Sequence, residues 1–171
     1  LGTGGVSIFA LQIAKAFGAK AIVLSKSNAK LAKATQHGAD YVHNYAEQPN
    51  WDAAVMDIPH GQGVDVVVEA AGIGTLSRSL NSVRGGGVVS LFGVLTGLEG
   101  DVSLWPFIRR RARLAGIFVD SRNAYMDLVT FIEKHSLTPI IDSTFEFNQL
   151  KEAFARMQSA EHFGKIVIKG K

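Results

Sequence analysis

The sequence alternates short apolar runs with stretches of helical periodicity, and this alternation limits the chain to few folds. The runs at residues 21–24, 64–69 and 88–93 have the length and aliphatic composition of parallel strands covered on both faces. Residues 29–37 and 75–83, which lie between such runs, space their apolar side chains as a helix does. This order, with short connections, predicts an α/β fold built on a doubly wound parallel sheet with helices on both faces.

The same patterns predict every element of the chain. Gly18 is expected to end the first helix, Asn28 to cap the second, and the three glycines at 85–87 to end the fourth. The predicted helices span residues 6–17, 29–37, 51–56, 75–83, 104–111, 123–134 and 149–157. The predicted strands span residues 21–24, 40–45, 64–69, 88–93, 114–119, 141–147 and 165–168.

Composition narrows the class of protein further. With 171 residues, 47% hydrophobic and 19% charged, the chain is ordinary for one globular domain. It has no cysteine, which excludes disulfides and thiolate metal sites and is compatible with a reducing compartment, so we expect a cytoplasmic protein. The net charge of +3 is mild, and the sequence has no apolar run of about 20 residues. We therefore expect no nucleic-acid partner and no membrane association.

The first seven residues form a glycine-rich turn that opens into an apolar helix. Glycines permit close backbone approach, and a helix N-terminus offers unpaired N–H groups, so this pattern is typical of a phosphate-binding turn. Gly2 and Gly4 match the first two glycines of a G-x-G-x-x-G pattern and Ser7 takes the third position, although a plain loop is the alternative. Such a turn normally follows a buried strand, of which only Leu1 is present. We therefore expect the first strand to be largely missing and the chain to be part of a longer protein.

The segment after residues 21–24 bears on the identity of a nucleotide cofactor. A carboxylate there would bind the ribose hydroxyl of NAD, whereas basic or small polar residues accommodate the 2′-phosphate of NADP. Ser25 and Lys26 stand at this point without a carboxylate, and Lys30 lies one helical turn further on. A solvated surface lysine is the alternative for either lysine alone. Together with the glycine turn, Lys26 and Lys30 as a pair predict NADP as the cofactor.

A set of short motifs is spread over the whole chain. They are Gly2-Thr3-Gly4-Gly5-Val6-Ser7, Gly18-Ala19-Lys20, Gly38-Ala39-Asp40, Asn44-Tyr45, Gly63-Val64-Asp65, Gly85-Gly86-Gly87 and Gly164-Lys165-Ile166-Val167. With these landmarks the chain resembles the medium-chain dehydrogenase/reductase superfamily, nearest to its quinone-oxidoreductase-like and zinc-type alcohol dehydrogenase-like branches. The resemblance implies a three-layer Rossmann fold that binds NADP in an oxidoreductase acting on a small alcohol, carbonyl or enone.

The resemblance also implies which residues bind the cofactor. The pyrophosphate would lie on the turn, the 2′-phosphate beside the first complete strand, and the nicotinamide at the ends of three later strands. The implied residues are Gly2, Gly4, Gly5, Val6, Ser25, Lys26, Lys30, Tyr45, Ala71, Gly72, Phe92, Gly93, Val94, Ile117, Phe118 and Val119. Two positions depart from the family pattern. Ser7 replaces the third glycine, as in several members, and the uncharged Ala160 aligns near the position of an Arg that binds the 2′-phosphate in some quinone reductases.

The resemblance further implies two parts. Residues 1–140 would be the NADP-binding domain, and residues 141–171 a return segment that pairs with an N-terminal domain absent from this chain. That domain would supply the substrate site and any zinc ligands, so this chain alone should be inactive. Strands 141–147 and 165–168 are therefore expected to lack partners within the chain, and the strand at 114–119 is the candidate edge of a homodimer.

Other chemistry finds little support. The histidines have no ligand spacing, Ser25 and Ser90 lie in no nucleophile context, and Glu69 is interpreted as a strand-end carboxylate rather than a general base. These histidines are His37, His43, His60, His135 and His162. The arginines at 109–111 follow two aromatic residues, a pattern that can bind nucleic acid, but a solvated helix face is our interpretation. The alternative to an oxidoreductase domain is a non-catalytic nucleotide-sensing or interaction module on the same fold.

Overall fold

The computed structural model describes residues 1–58 and 62–170 of the chain, so His60 of the sequence prediction lies outside the described residues. Within them, helices and strands alternate as predicted. The helices are α1 (Gly5–Ala16), α2 (Asn28–Gln36), α3 (Trp51–Asp57), α4 (Ile73–Ser82), α5 (Leu104–Arg110), α6 (Arg122–Lys134) and α7 (Leu150–Gln158). The strands are β1 (Ile22–Ser25), β2 (Tyr41–Asn44), β3 (Val64–Glu69), β4 (Val83–Leu91), β5 (Arg113–Gly116), β6 (Ile141–Phe145) and β7 (Lys165–Ile168).

Every pairing between these strands is parallel. β1 pairs with β2, β4 lies between β3 and β5, and β6 pairs with β7. Helices connect the strands, and apolar side chains from α1, α2 and β1 form one buried cluster while those from α4, β3 and β4 form another. The predicted α/β class is confirmed.

A groove separates the β1–β2 pair from the β3–β4–β5 sheet, and the first two residues bridge it near the carboxyl ends of the strands. The amino group of Leu1 donates to the Val68 carbonyl oxygen at 3.4 Å, and the Gly2 N–H donates to the Leu24 carbonyl oxygen at 2.9 Å. The groove has a volume of about 760 Å³ and is lined largely by apolar side chains of α1, β1 and β3. A parallel strand leading into Leu1 would pair with both sheets and make them continuous, as a doubly wound fold requires.

Two predicted helix ends are wrong. Ser27, not Asn28, caps α2, because its extended backbone lets the side-chain oxygen accept a hydrogen bond from the Lys30 N–H, and Asn28 is the first helical residue. The three glycines do not end α4, which ends at Ser82. They lie within β4, where the register against β3 shifts and Gly86 takes a positive φ of 74°.

Strand β5 is shorter than predicted. It pairs with β4 only as far as Gly116, opposite the last residue of β4, and residues 117–119 extend beyond the sheet. Strand β6 likewise ends at Phe145 and is followed by a single turn of 3-10 helix. Both strands therefore end where their partner ends.

The expectation that the last two strands lack partners within this chain is wrong. β6 and β7 pair with each other, from Ile141 opposite Lys165 to Phe145 opposite Ile168. The α7 helix connects them, and such a crossover places two strands side by side in parallel. The segment also contacts the glycine-rich turn at the start of the chain, because the Gly164 N–H donates to the Thr3 carbonyl oxygen at 3.0 Å.

Asp142 ties this segment together. Its carboxylate accepts hydrogen bonds from the Arg156 guanidinium at 3.0 and 3.1 Å and from the Phe163 N–H at 2.9 Å, and its side chain is only 3% exposed. Burial acts to raise the pKa of this carboxyl, but these hydrogen bonds outweigh it and lower the pKa to about 2. The ionised form is therefore stabilised by folding.

Asp142→Asn is expected to lower the free energy of unfolding by about 2 kcal/mol near neutral pH. Since the folded pKa lies below the unfolded value, this stabilisation is complete above about pH 5 and is lost as the pH falls towards about 2. Urea denaturation across that range should show the two proteins converging. The control is Asp65→Asn, which removes a 79% exposed carboxylate paired with Arg84 and should change little. A loss for Asp142→Asn that is the same at every pH would contradict the prediction.

Candidate cofactor site

The carboxyl ends of β1, β3 and β4 and the N-terminus of α1 meet at one edge of the molecule. β1 ends at Ser25, β3 at Glu69 and β4 at Leu91, while α1 begins at Gly5. In open parallel sheets ligands bind at this edge, where the chain crosses from one face of the sheet to the other. This edge is therefore the candidate site.

The glycine-rich turn leads into α1 as predicted. Gly2 has a positive φ of 74°, and Gly4 is extended and precedes the helix without any side-chain cap. Because the first turn of α1 also carries no acidic residue, its N–H groups and partial positive charge are available to an anion. Ser7, in the position of the third glycine, donates its hydroxyl to the Leu1 carbonyl oxygen at 2.7 Å and so ties the turn to the helix.

A cation that the sequence analysis did not assign lies over this turn. A Cβ atom on Gly5 would lie 2.6 Å from Cε and 2.8 Å from Nζ of Lys165, so the lysine side chain occupies the space that the glycine leaves open. Its Nζ also lies 5.8 Å from the centre of the Phe9 ring. Lys165 belongs to the Gly164-Lys165 landmark of the sequence analysis, but the contact could not be predicted because Lys165 lies 160 positions after Gly5. The turn thus combines helix N–H groups with an ammonium group.

At the end of β1 the predicted 2′-phosphate residues come together in part. Ser25 is buried, its hydroxyl oxygen accepts from the Ser27 N–H, and its carbonyl oxygen accepts from the Tyr45 N–H at 3.2 Å. Lys26 is exposed, and Nζ of Lys30 donates to the carbonyl oxygen of Ala160. These contacts bring the C-terminal segment to the edge of β1.

The electrostatics of Lys30 reflect its neighbours. Burial lowers the pKa of its ammonium group, and the positive charges of Arg156 and Lys26 lower it further. Asp142 and Glu161 act in the opposite direction. An anion placed between Lys26 and Lys30 would relieve their repulsion.

The turns after β3 and β4 are packed backbone against backbone. A Cβ atom on Gly93 would lie 1.8 Å from the Ala70 carbonyl oxygen, and one on Gly72 would lie 2.8 Å from the Gly93 carbonyl oxygen. The predicted residues Ala71, Gly72, Phe92, Gly93 and Val94 are therefore adjacent. Glycine is required at both contacts because no side chain fits.

Residues 117–119 behave differently. The Ile117 N–H donates to the Leu91 carbonyl oxygen at 2.8 Å, which holds it beside the end of β4. The following Phe118 and Val119 are 90% and 83% exposed. In this chain their side chains do not cover the neighbouring turns.

The structure also bears on metals and membranes. Among residues 1–58 and 62–170, no three His, Asp or Glu side chains are grouped so that they could hold a metal ion. No helix in the same ranges has the length and apolarity needed to cross a membrane.

The parallel sheet, the open glycine turn at a helix N-terminus and the interlocked turns beside it define a class of protein, a Rossmann-type α/β domain. The model of the zinc-binding dehydrogenase family matches residues 5–134, and the chain belongs to that family. The predicted membership of the medium-chain dehydrogenase/reductase superfamily is confirmed, as is the Rossmann fold.

Individual relatives agree with this assignment. A zinc-type alcohol dehydrogenase-like protein of Schizosaccharomyces pombe is 38% identical over 174 residues, which cover 99% of this chain and 50% of that protein. A crystal structure described as an alcohol dehydrogenase of Sinorhizobium meliloti 1021 superimposes with a TM-score of 0.93 at 39% identity, covering 99% of this chain and 49% of that one. The structure of an NAD-dependent alcohol dehydrogenase superimposes with a TM-score of 0.89 at 28% identity, and the match again covers 99% of this chain and 49% of that one. The chain spans about half the length of the curated relatives it matches.

Proposed function

We propose that this chain is the cofactor-binding domain of an NADP(H)-dependent oxidoreductase of the alcohol dehydrogenase or quinone reductase type. The observation that carries the proposal is the uncapped glycine turn at the N-terminus of α1 with Lys165 above Gly5, since together they suit a diphosphate. When bound, the reduced cofactor would donate a hydride to a small carbonyl or enone, and the oxidised cofactor would accept one from a small alcohol. Another domain of the whole protein would supply the substrate site and any zinc ligands.

The cofactor would span the edge of the sheet. Gly4, Gly5 and Val6 would hold the pyrophosphate through backbone N–H groups. Gly2, whose own N–H donates to the Leu24 carbonyl oxygen, would let the turn approach the pyrophosphate closely through its positive φ. The adenosine half would lie at the end of β1, and the nicotinamide half at the turns after β3 and β4 and beside Ile117. Phe118 and Val119 would contribute to the nicotinamide side only after being covered by another domain or subunit.

NADP is proposed over NAD because of the charges at the end of β1. Ser25 and Lys26 offer no carboxylate to a ribose hydroxyl, and the ammonium groups of Lys26 and Lys30 repel each other there. Tyr45 adjoins Ser25 through a backbone hydrogen bond and is 37% exposed. One similar structure is NAD-dependent by description, so the choice rests on these side chains and not on resemblance.

Lys30→Ala combined with Tyr45→Ala is expected to weaken NADPH binding by roughly tenfold or more and to leave NADH binding within about twofold. The reason is that only NADPH carries the phosphate, and hydrogen bonds to a charged group contribute about 1.5–3 kcal/mol. Isothermal titration of the chain with each cofactor measures the effect.

The matched control is Lys20→Ala, which removes the same charge from an exposed residue at the opposite, amino end of β1. It should leave both affinities unchanged. A wild-type chain that prefers NADH, or a double variant that binds NADPH as well as the wild type does, would refute the assignment of the 2′-phosphate site.

The remaining assignments extend this proposal. We place the parent protein in the cytoplasm and expect it to dimerise through β5, whose side away from β4 pairs with no strand among residues 1–58 and 62–170. Leu114 in that strand is 44% exposed. Residues 1–140 would be the cofactor domain, and the β6–β7 pair of residues 141–171 would extend into the sheet of the other domain.

A further inference from the structure

Glu69 is a fully buried carboxylate at the end of β3, with 0% exposure. One carboxylate oxygen accepts from the Ala71 N–H at 2.8 Å, the Gly72 N–H at 3.1 Å and the Thr75 hydroxyl at 2.8 Å. The other accepts from the Ser79 hydroxyl. A single side chain therefore joins the end of β3, the turn that follows it and the first two turns of α4.

A carboxylate buried in this way is costly unless its oxygens are satisfied, and here four donors satisfy them. The positive end of the α4 dipole adds to its stabilisation. An apolar residue at this position would leave the Ala71 and Gly72 N–H groups without their acceptor. The charge is thus coupled to one particular geometry of the turn at residues 70–72.

The opposite side of the same turn is held by Thr96. Its N–H and its hydroxyl both donate to the Ala71 carbonyl oxygen, at 2.9 and 3.0 Å, and its hydroxyl oxygen accepts from the Gly74 N–H at 2.9 Å. The Glu69 carbonyl oxygen also accepts from the Gly93 N–H at 3.1 Å. Glu69 and Thr96 therefore clamp the turn through its N–H and its C=O groups respectively.

The position of this clamp indicates its role. The N-terminus of α1 lies between the β1–β2 pair on one side and the β3–β4–β5 sheet on the other. A dinucleotide with its diphosphate at α1 and its adenosine at β1 has its second half at the turns after β3 and β4. We propose that Glu69 is a positioning residue for the nicotinamide half of the cofactor, an inference that rests on the proposed function.

Glu69→Gln tests this, because it retains the size of the side chain and removes its charge and one acceptor oxygen. It should weaken NADPH binding at least tenfold and reduce the fluorescence change of the bound dihydronicotinamide. Binding of adenosine 2′,5′-bisphosphate, which lacks the nicotinamide half, should stay within twofold. Hydrogen exchange should accelerate at the Ala71 and Gly72 amides, while that of Val89 in the core of β4 stays slow.

Thr96→Val is the second variant. Thr96 is exposed, and replacing it removes the hydroxyl that contacts the turn while leaving the Glu69 side chain in place. Thr96→Val should reproduce the selective loss of NADPH affinity, by fivefold or more, even if Glu69→Gln fails to fold.

The outcomes separate this inference from the proposed function. A wild-type chain that binds neither NADPH nor the bisphosphate overturns both. If the wild type binds both ligands, a parallel loss of the two in the folded variants shows that Glu69 only supports the fold. Unchanged NADPH affinity in both variants overturns the positioning role and leaves the proposed function standing.

Discussion

Gly93→Ala is expected to lower the free energy of unfolding by about 3 kcal/mol or more and to abolish measurable cofactor binding. The added Cβ would lie 1.8 Å from the carbonyl oxygen of Ala70 and 1.9 Å from its carbonyl carbon. Both are backbone atoms, so no change of rotamer relieves the clash. The turns after β3 and β4 would have to separate, which displaces Gly72 from its contact with Gly93. Urea denaturation and titration with NADPH measure the two effects.

Gly85→Ala is the matched control because Gly85 belongs to β4, the strand that leads to Gly93. A Cβ there would have its nearest neighbour, the Arg110 carbonyl oxygen, at 3.9 Å, which is ordinary contact, and the residue has no positive φ. It should change the free energy of unfolding by no more than about 0.5 kcal/mol. Equal stability of the two variants would show that the two turns are not packed as described.

Extending the chain before Leu1 by a strand of about six aliphatic residues is expected to raise the free energy of unfolding by about 3 kcal/mol. Burial contributes roughly 2 kcal/mol per side chain, and ordering costs roughly 1.5 kcal/mol per residue. The groove between β1 and β3 is apolar, and Leu1 and Gly2 already bond to Val68 and Leu24 at its end. Fixing Gly2 should also tighten NADPH binding by about tenfold, since the turn is then ordered before binding.

The comparison for this prediction is an extension of equal length with proline at alternate positions. It adds the same number of residues but cannot donate the ladder hydrogen bonds of a central strand. Hydrogen exchange should slow at Val68 and Leu24, whose backbone groups face the groove, with the aliphatic extension only. Equal protection and equal stability with both extensions would mean that the groove does not accept a strand.

The strands were predictable because their signal is local. A run such as Val64–Glu69 has the β-branched composition of a strand whatever surrounds it, and glycines such as Gly18 mark helix ends through their own backbone freedom. The exceptions were positions where a neighbour decides the outcome. Ser27 rather than Asn28 caps α2 because of its backbone conformation. The glycines 85–87 lie in the irregular part of β4, between its pairs of Val83 with Val64 and of Val88 with Val66.

The candidate site divides in the same way. The glycine turn and the absence of a carboxylate near Lys26 are properties of contiguous residues and could be recognised directly. The pairing of β6 with β7 could not, because the prediction assumed that only another domain could provide a partner. Lys165 and Thr96 were likewise missed, because each acts on residues distant in sequence, at Gly5 and Ala71 respectively.

By itself the sequence determined the parallel α/β class and the family, since periodicity and glycine spacing report local backbone requirements. Only the tertiary structure decided which groups meet at the site. It brought Lys165 over the N-terminus of α1 and enclosed Glu69 among four donors. The physical reason is that hydrogen bonding and charge act through space, so a carboxylate that looks like an ordinary strand end acquires its role only from the turn and helix folded around it.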